Sequence, residues 1–134
     1  MTDLELMQLA VEAREMAYAP YSGFRVGAAL LGKSGKVYKG CNVENAAYTP
    51  TNCAERTALF KAVSEGEKEF TAIAIVGGRY ESIADFCAPC GVCRQVLAEF
   101  CDKDFRLILG NPNHMQIFTF EEILPFAFGK GDLE

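Results

Sequence analysis

The chain has 134 residues, 50% of them hydrophobic and 23% charged, which is one domain's worth of ordinary globular sequence and excludes a disordered tail, a collagen and a coiled-coil rod. Thirteen Lys and Arg against eighteen Asp and Glu leave a net charge of −5, a poor balance for gripping a phosphate backbone, so no nucleic-acid polymer is expected as a partner. No apolar run approaches the roughly 18–20 residues of a membrane span, and the opening MTDLELMQLA lacks the basic start of a signal peptide, so no membrane partner and a cytoplasmic location are expected.

Thr2 to Ala19 reads as an amphipathic helix: Thr2 and Glu5 have capping-box spacing, and Leu6, Leu9, Ala10, Ala13 and Ala17 share a face. Tyr18-Ala19-Pro20-Tyr21-Ser22-Gly23 breaks it. Val26–Leu31 and Val37–Cys41 read as strands joined by a turn at Lys33-Ser34-Gly35-Lys36. Asn42–Asn52 is polar and irregular, with Pro50 inside it, and a loop of this length is a common place for function. Cys53–Glu65 is helical and stops before Gly66. Phe70–Val76 is a strongly apolar strand closed by Gly77-Gly78, and Arg79–Pro89 is a loop. Cys90–Phe100 is a helix with Pro89 at its threshold. Phe105–Leu109 is a strand ended by Gly110-Asn111-Pro112-Asn113. Met115–Phe120 is a last strand, followed by a short helix from Thr119 or Phe120 that Pro125 interrupts. No repeat or linker divides the chain, which predicts a single domain over residues 1–134. Strands alternating with helices predict an α/β fold with a mixed sheet flanked by helices.

The six cysteines are Cys41, Cys53, Cys87, Cys90, Cys93 and Cys101. Three disulfides in a secreted domain are disfavoured by the absent signal peptide, by a chain long enough to bury its own core, and by three cysteines crowded at three-residue spacing. Cys90 and Cys93 stand at i and i+3 where a helix starts, so their side chains share a face, and Cys53 also opens a helix. Helical side chains lean toward the N-terminus, so two helix starts brought together aim three sulfurs at one point. Helix N-termini also lower thiol pKa, and the thiolate is the metal-binding form. Three thiolates with a fourth position to spare describe a catalytic zinc site, where bound water becomes a hydroxide nucleophile at neutral pH. Glu55, two residues after Cys53, converges with it only at a helix end, and there it is placed to shuttle the proton. Its other reading is a capping-box partner for Asn52. Three thiolates on a divalent ion leave a net −1, which Arg56 offsets if it donates to sulfur; otherwise it is a solvated surface arginine.

Several segments carry a resemblance over almost the whole chain. They are Pro20-Tyr21-Ser22-Gly23-Phe24-Arg25-Val26-Gly27-Ala28-Ala29, Asn42-Val43-Glu44-Asn45-Ala46, Cys53-Ala54-Glu55-Arg56-Thr57-Ala58, Pro89-Cys90-Gly91-Val92-Cys93-Arg94-Gln95, and Leu124-Pro125 through Phe128-Gly129. They resemble the cytidine deaminase family, in its small branch with three cysteine ligands. The resemblance implies a three-layer α/β/α sandwich with a mixed five-stranded sheet. It implies one Zn2+ per subunit held by Cys53, Cys90 and Cys93, with Glu55 as the catalytic proton shuttle. Phe24 would lie against the pyrimidine, Asn42 and Glu44 would hydrogen-bond the sugar hydroxyls, and Ala54 would touch the base through its backbone. Ala46, Tyr48 and Phe128 would reach a neighbouring subunit's site in a homotetramer. The implied reaction is hydrolytic deamination of cytidine and 2′-deoxycytidine in pyrimidine salvage. Taken alone, Phe24 reads as core, and Asn42 and Glu44 as loop polar residues. A site that hydrogen-bonds a sugar hydroxyl rejects analogues lacking it by roughly 10⁴-fold, so free cytosine is expected to be poor. The Glu44 carboxylate disfavours nucleotides.

Rival readings use the same cysteines. Cys53, Cys87, Cys90 and Cys93 would close a structural zinc site in a binding module. An iron–sulfur run needs a fourth cysteine where Leu97 stands. Within the enzyme class the alternative is a deaminase of a modified cytosine nucleoside of antibiotic type, against which Asn42-x-Glu44-Asn45 favours an ordinary ribose. His114, the single histidine, lies far from the motif in a turn and reads as a surface residue, while Cys41 and Cys101 read as buried small hydrophobes.

Overall fold

A computed structural model describes residues 1–134. Five strands form one mixed sheet in the order β2-β1-β3-β4-β5. They are β1 (Phe24–Gly32), β2 (Val37–Cys41), β3 (Phe70–Arg79), β4 (Arg106–Asn111) and β5 (His114–Thr119). Only β3 and β4 are parallel, because the crossover between them carries helix α3 (Gly91–Phe100); every other neighbour pair is antiparallel. Helix α1 (Asp3–Arg14) covers one face, and α2 (Ala54–Ser64) and α3 cover the other.

The two-residue period of the strands sorts the core into two halves. Ile73 and Ile75 of β3 and Leu107 and Leu109 of β4 pack with α2 and α3. Ala72, Ala74, Val76 and Ile108 point the other way, against Leu6, Met7 and Ala10 of α1. Gly40 lets α2 sit close on the sheet, since a Cβ there would fall 2.5 Å from Ala54 O and Ala58 N. That close seat fixes where α2 begins, and with it the position of Cys53.

Several boundaries differ from expectation; β1, expected from Val26, already begins at Phe24, and β5 runs His114–Thr119 rather than Met115–Phe120. The Thr2–Glu5 capping box forms, but α1 ends at Arg14 rather than Ala19. Met16 and Ala17 make only i→i−3 bonds, and Tyr18 N–H then turns to Asn42 O at 3.0 Å. The strand at Phe70 runs through Gly77-Gly78 to Arg79, because Val26 and Arg25 of β1 pair with those glycines. Gly77 makes room rather than a stop: a Cβ there would lie 2.7 Å from Cys87 Sγ and 3.0 Å from Phe24 Cε1. The strand at Phe105 starts at Arg106 and continues through Gly110-Asn111 into a tight hairpin with β5. The closing helix α4 (Phe120–Ile123) has Thr119 as its N-cap, and a 3₁₀ turn over Lys130–Leu133 follows it.

Candidate active site

Two helices begin beside one another, and each begins with a cysteine. Cys53 caps α2 and Cys90 caps α3, both in extended backbone. An N-cap side chain ordinarily accepts a hydrogen bond from its own first turn. Cys53 accepts none, whereas Cys90 Sγ accepts Cys93 N–H at 3.4 Å. Cys93, at the third position of α3, is fully buried. The three sulfurs lie within 4.8 Å of one another, with Cys53 and Cys90 at 3.8 Å. Two sulfurs each about 2.3 Å from one tetrahedral zinc stand about 3.8 Å apart, so this donor set fits zinc. Cys87 is outside the cluster, packed by its sulfur toward Gly77 and Phe24. The closed four-cysteine site therefore does not form. All six cysteines are free, and Cys41 and Cys101 are half-buried rather than fully buried.

The Cys53 thiol is acidified by its neighbours. The neighbouring Cys93 thiol lowers it most, Arg56 and Cys90 help, and its pKa falls to about 5. Cys93, facing it, is pushed well above the ordinary thiol range. A divalent cation is what lets all three ionise together. Arg56 Nη2 donates to Cys53 Sγ at 3.3 Å, so the charge offset expected of it is made by direct contact. Its Nε is buried with no partner.

Glu55 stands in the first turn of α2 and is 5% exposed. Burial, and then the charge on Cys53, push its carboxyl up to about 7, against a smaller opposing effect from hydrogen bonds. A carboxyl poised there both accepts and returns a proton at neutral pH; a cation alongside would draw it lower. The capping role is not used. Cys53 is the cap, and Asn52 Nδ2 donates instead to Thr57 Oγ1 at 3.1 Å, which donates to Cys53 O.

A cleft of about 230 Å³ opens over this cluster and brings together Phe24, Asn42, Cys53, Ala54, Glu55 and Cys90. Cys87 also lines it, with its thiol raised to about 11 mainly by burial, so it presents a neutral wall. Asn42, 9% exposed, accepts from Val26 N–H at 2.9 Å and donates to Phe24 O at 2.9 Å. That leaves it one N–H and one lone pair. Glu44 and Tyr48 line a second hollow of about 400 Å³, which meets the cleft at Thr51. Ala46 is exposed and lines neither hollow. Phe128 is 59% exposed beside the largest hollow, about 780 Å³, which lies under the C-terminal segment and contains none of the three sulfur ligands.

Sequence reasoning missed the side chains that hold these pieces. Buried Arg14 of α1 donates to the carbonyls of Arg25, Gly78, Tyr80 and Ser82, fastening the turn that leads from β3 toward Cys87. Its signal was a charge on the apolar stripe Leu6-Ala10-Arg14. Arg94 Nε holds Pro89 O at 2.8 Å, just before Cys90. Ser22 binds Glu44; it stands within one of the segments that carry the resemblance, but no sequence signal assigned it a role.

Three thiols converging beside a buried carboxyl, at the floor of an open cleft on an α/β sheet, define a zinc-dependent hydrolase centre. Residues 1–109 match the profile of the cytidine and deoxycytidylate deaminase zinc-binding region. A cytidine deaminase of Halalkalibacterium halodurans is 52% identical over 129 residues, covering 96% of this chain and 95% of the relative. The crystal structure of cytidine deaminase from Burkholderia pseudomallei superposes with a TM-score of 0.87 at 47% identity, covering 96% of this chain and all of that one. The chain belongs to the cytidine and deoxycytidylate deaminase family, and Zn2+ is its cofactor. A blasticidin-S deaminase of Bacillus cereus is 33% identical over 130 residues, covering 94% of this chain and 91% of the relative, which makes the antibiotic-type alternative the weaker one. No helix is long and apolar enough to cross a membrane.

Proposed function

We propose that this chain is one catalytic domain over residues 1–134 that hydrolyses cytidine and 2′-deoxycytidine to uridine and 2′-deoxyuridine, releasing ammonia. The observation that carries the reading is the convergence of Cys53, Cys90 and Cys93 beside buried Glu55 in the cleft walled by Phe24. Cys53, Cys90 and Cys93 would hold the zinc, which when bound supplies a Lewis acid that acidifies water. Glu55 would take one proton from the attacking water as its oxygen bonds to C4, deliver it to ring N3, and pass the second proton to the amine as the C4–N bond breaks and ammonia leaves. Phe24 offers its ring to the base, and the backbone of Ala54 closes one side. The spare N–H and lone pair of Asn42 and the carboxylate of Glu44 receive the sugar hydroxyls. Arg56 holds charge beside Cys53.

The same reading places the enzyme in pyrimidine salvage in the cytoplasm, as a homotetramer. Exposed Ala46, Tyr48 and Phe128 support the assembly: three site-motif residues face outward, where a neighbouring subunit's cleft would take them. Light scattering is expected to return four chains of 14.7 kDa.

The test joins zinc content to loss of cytidine ultraviolet absorbance in one sample. One zinc per chain with uridine formation is expected. One zinc with no turnover of cytidine or deoxycytidine would overturn the reading, and blasticidin S would be the next substrate.

A further inference from the structure

Glu44 is not a free carboxylate. Its Oε1 accepts both Tyr21 N–H at 3.0 Å and Ser22 N–H at 3.1 Å, and its Oε2 accepts the Ser22 hydroxyl at 2.5 Å. A carboxylate has about four acceptor positions. Three are taken, so one remains, on Oε2. Ser22 Oγ in turn accepts Phe24 N–H at 3.0 Å. One hydroxyl thus joins the carboxylate at the sugar end of the site to the backbone of the residue whose ring walls the cleft. Gly23, between them, sits at φ +70°, and its carbonyl is held by Tyr80 N–H at 2.7 Å, so the joint rests on a fixed turn. Ser22, Glu44, Tyr48 and Thr51 line one hollow, and Thr51 continues into the cleft over the sulfurs.

We infer that Ser22 is a positioning residue for nucleoside binding: its hydroxyl fixes the Glu44 carboxylate so that the single open acceptor on Oε2 meets a sugar hydroxyl, in register with the base against Phe24. This rests on the proposed role of Glu44. Without the Ser22 hydroxyl the two backbone N–H groups still hold Oε1, but Oε2 is free to turn about that anchor and to be taken by water. Phe24 N–H loses its acceptor at the same time. Ser22 makes its hydrogen bonds to Glu44 and Phe24 and none to Glu55 or the three cysteines, so binding weakens while the chemical step does not.

The experiment compares Ser22→Ala, Ser22→Thr, Glu44→Gln and the Ser22→Ala/Glu44→Gln double variant in the zinc-loaded enzyme, with cytidine as substrate. Ser22→Ala is expected to raise KM about tenfold with kcat within about twofold of the parent and one zinc per chain. Ser22→Thr, which keeps the hydroxyl, restores KM. In the Glu44→Gln background, Ser22→Ala adds less than about twofold, because Ser22 acts through Glu44. A normal KM for Ser22→Ala beside a raised KM for Glu44→Gln overturns the positioning role alone and leaves Glu44 in place. An equal penalty from Ser22→Ala with and without Glu44 also overturns it. A normal KM for Glu44→Gln removes Glu44 from sugar binding, a failure of the underlying reading that is separable from the others.

Discussion

Four helices begin with a residue able to cap them, and they divide into two pairs. Thr2 and Thr119 close capping boxes: each accepts from the N–H three residues on, and Glu5 and Glu122 return the bond. Cys53 and Cys90 stand at the same position of α2 and α3 in the same extended backbone and close no box: Cys53 accepts nothing from its helix, while Cys90 Sγ accepts Cys93 N–H at 3.4 Å. The first pair uses the cap for the helix's own stability. The second leaves α2 without a side-chain cap and turns both sulfurs toward a shared point. The helix ends gain a partial positive charge that favours thiolate, and the metal recovers in binding what the caps forgo in local hydrogen bonds.

The sharpest way to break this contrast is to give α2 an ordinary cap. Cys53→Ser is expected to abolish both zinc binding and turnover. Compared as metal-stripped proteins, the variant should nevertheless be more stable than the parent by about 0.5–1 kcal/mol, since serine caps where cysteine does not. Urea unfolding in chelator reads the stability, and metal analysis reads the zinc; a metal-stripped variant less stable than its parent would refute the trade between cap and ligand. Glu55→Gln comes next. It keeps the side-chain shape beside the sulfurs but removes the proton carrier, so zinc stays at one per chain while kcat falls about 10²–10⁴-fold. Retained turnover in that variant would remove Glu55 from the chemistry. Cys87→Ala has a smaller effect. The thiol lies outside the cluster, so zinc content is unchanged, and the loss of a part-buried side chain costs about 1 kcal/mol in unfolding experiments. Loss of metal from Cys87→Ala would instead restore the four-cysteine reading.

The metal cluster was the most legible part of the sequence because its chemistry is local. Helix-start spacing alone puts Cys90 and Cys93 on one face, and a proline before them marks the start. The sheet was legible for a similar reason: alternation and turn residues are local signals, and the nine main elements fall in the expected order. What stayed hidden depends on neighbours distant in the chain. Gly77 and Gly78 read as a terminator until β1 is seen to pair with them and Cys87 to fill the space over Gly77. Arg14 reads as the polar end of an amphipathic helix until four carbonyls from β1, β3 and the following turn close around it. Ser22 carries no periodic or spacing signal at all, and its partner lies 22 residues away.

The smallest effect separates the two kinds of cap most cleanly. Thr2→Ala is expected to cost about 1 kcal/mol of stability and to leave kcat/KM and zinc content unchanged, because this cap serves only α1. Glu5→Gln refines the point through pH. Glu5 is held below the usual carboxylate range, first by the Thr2 N–H and then by its hydroxyl. A lowered native pKa means that the unfolded chain binds the proton more readily. The charge-dependent part of the box is therefore fully present above the ordinary value of 4.5 and is lost as pH falls through the lowered one. Glutamine keeps an acceptor for Thr2 N–H without the charge. Parent and Glu5→Gln should differ most in stability above pH 4.5 and converge as pH falls through the lowered native value, with turnover at neutral pH the same in both. A gap that persists unchanged into acid would mean that the box acts through shape and neutral hydrogen bonding. Thr2 would then still cap α1, but the Glu5 charge would play no part in it.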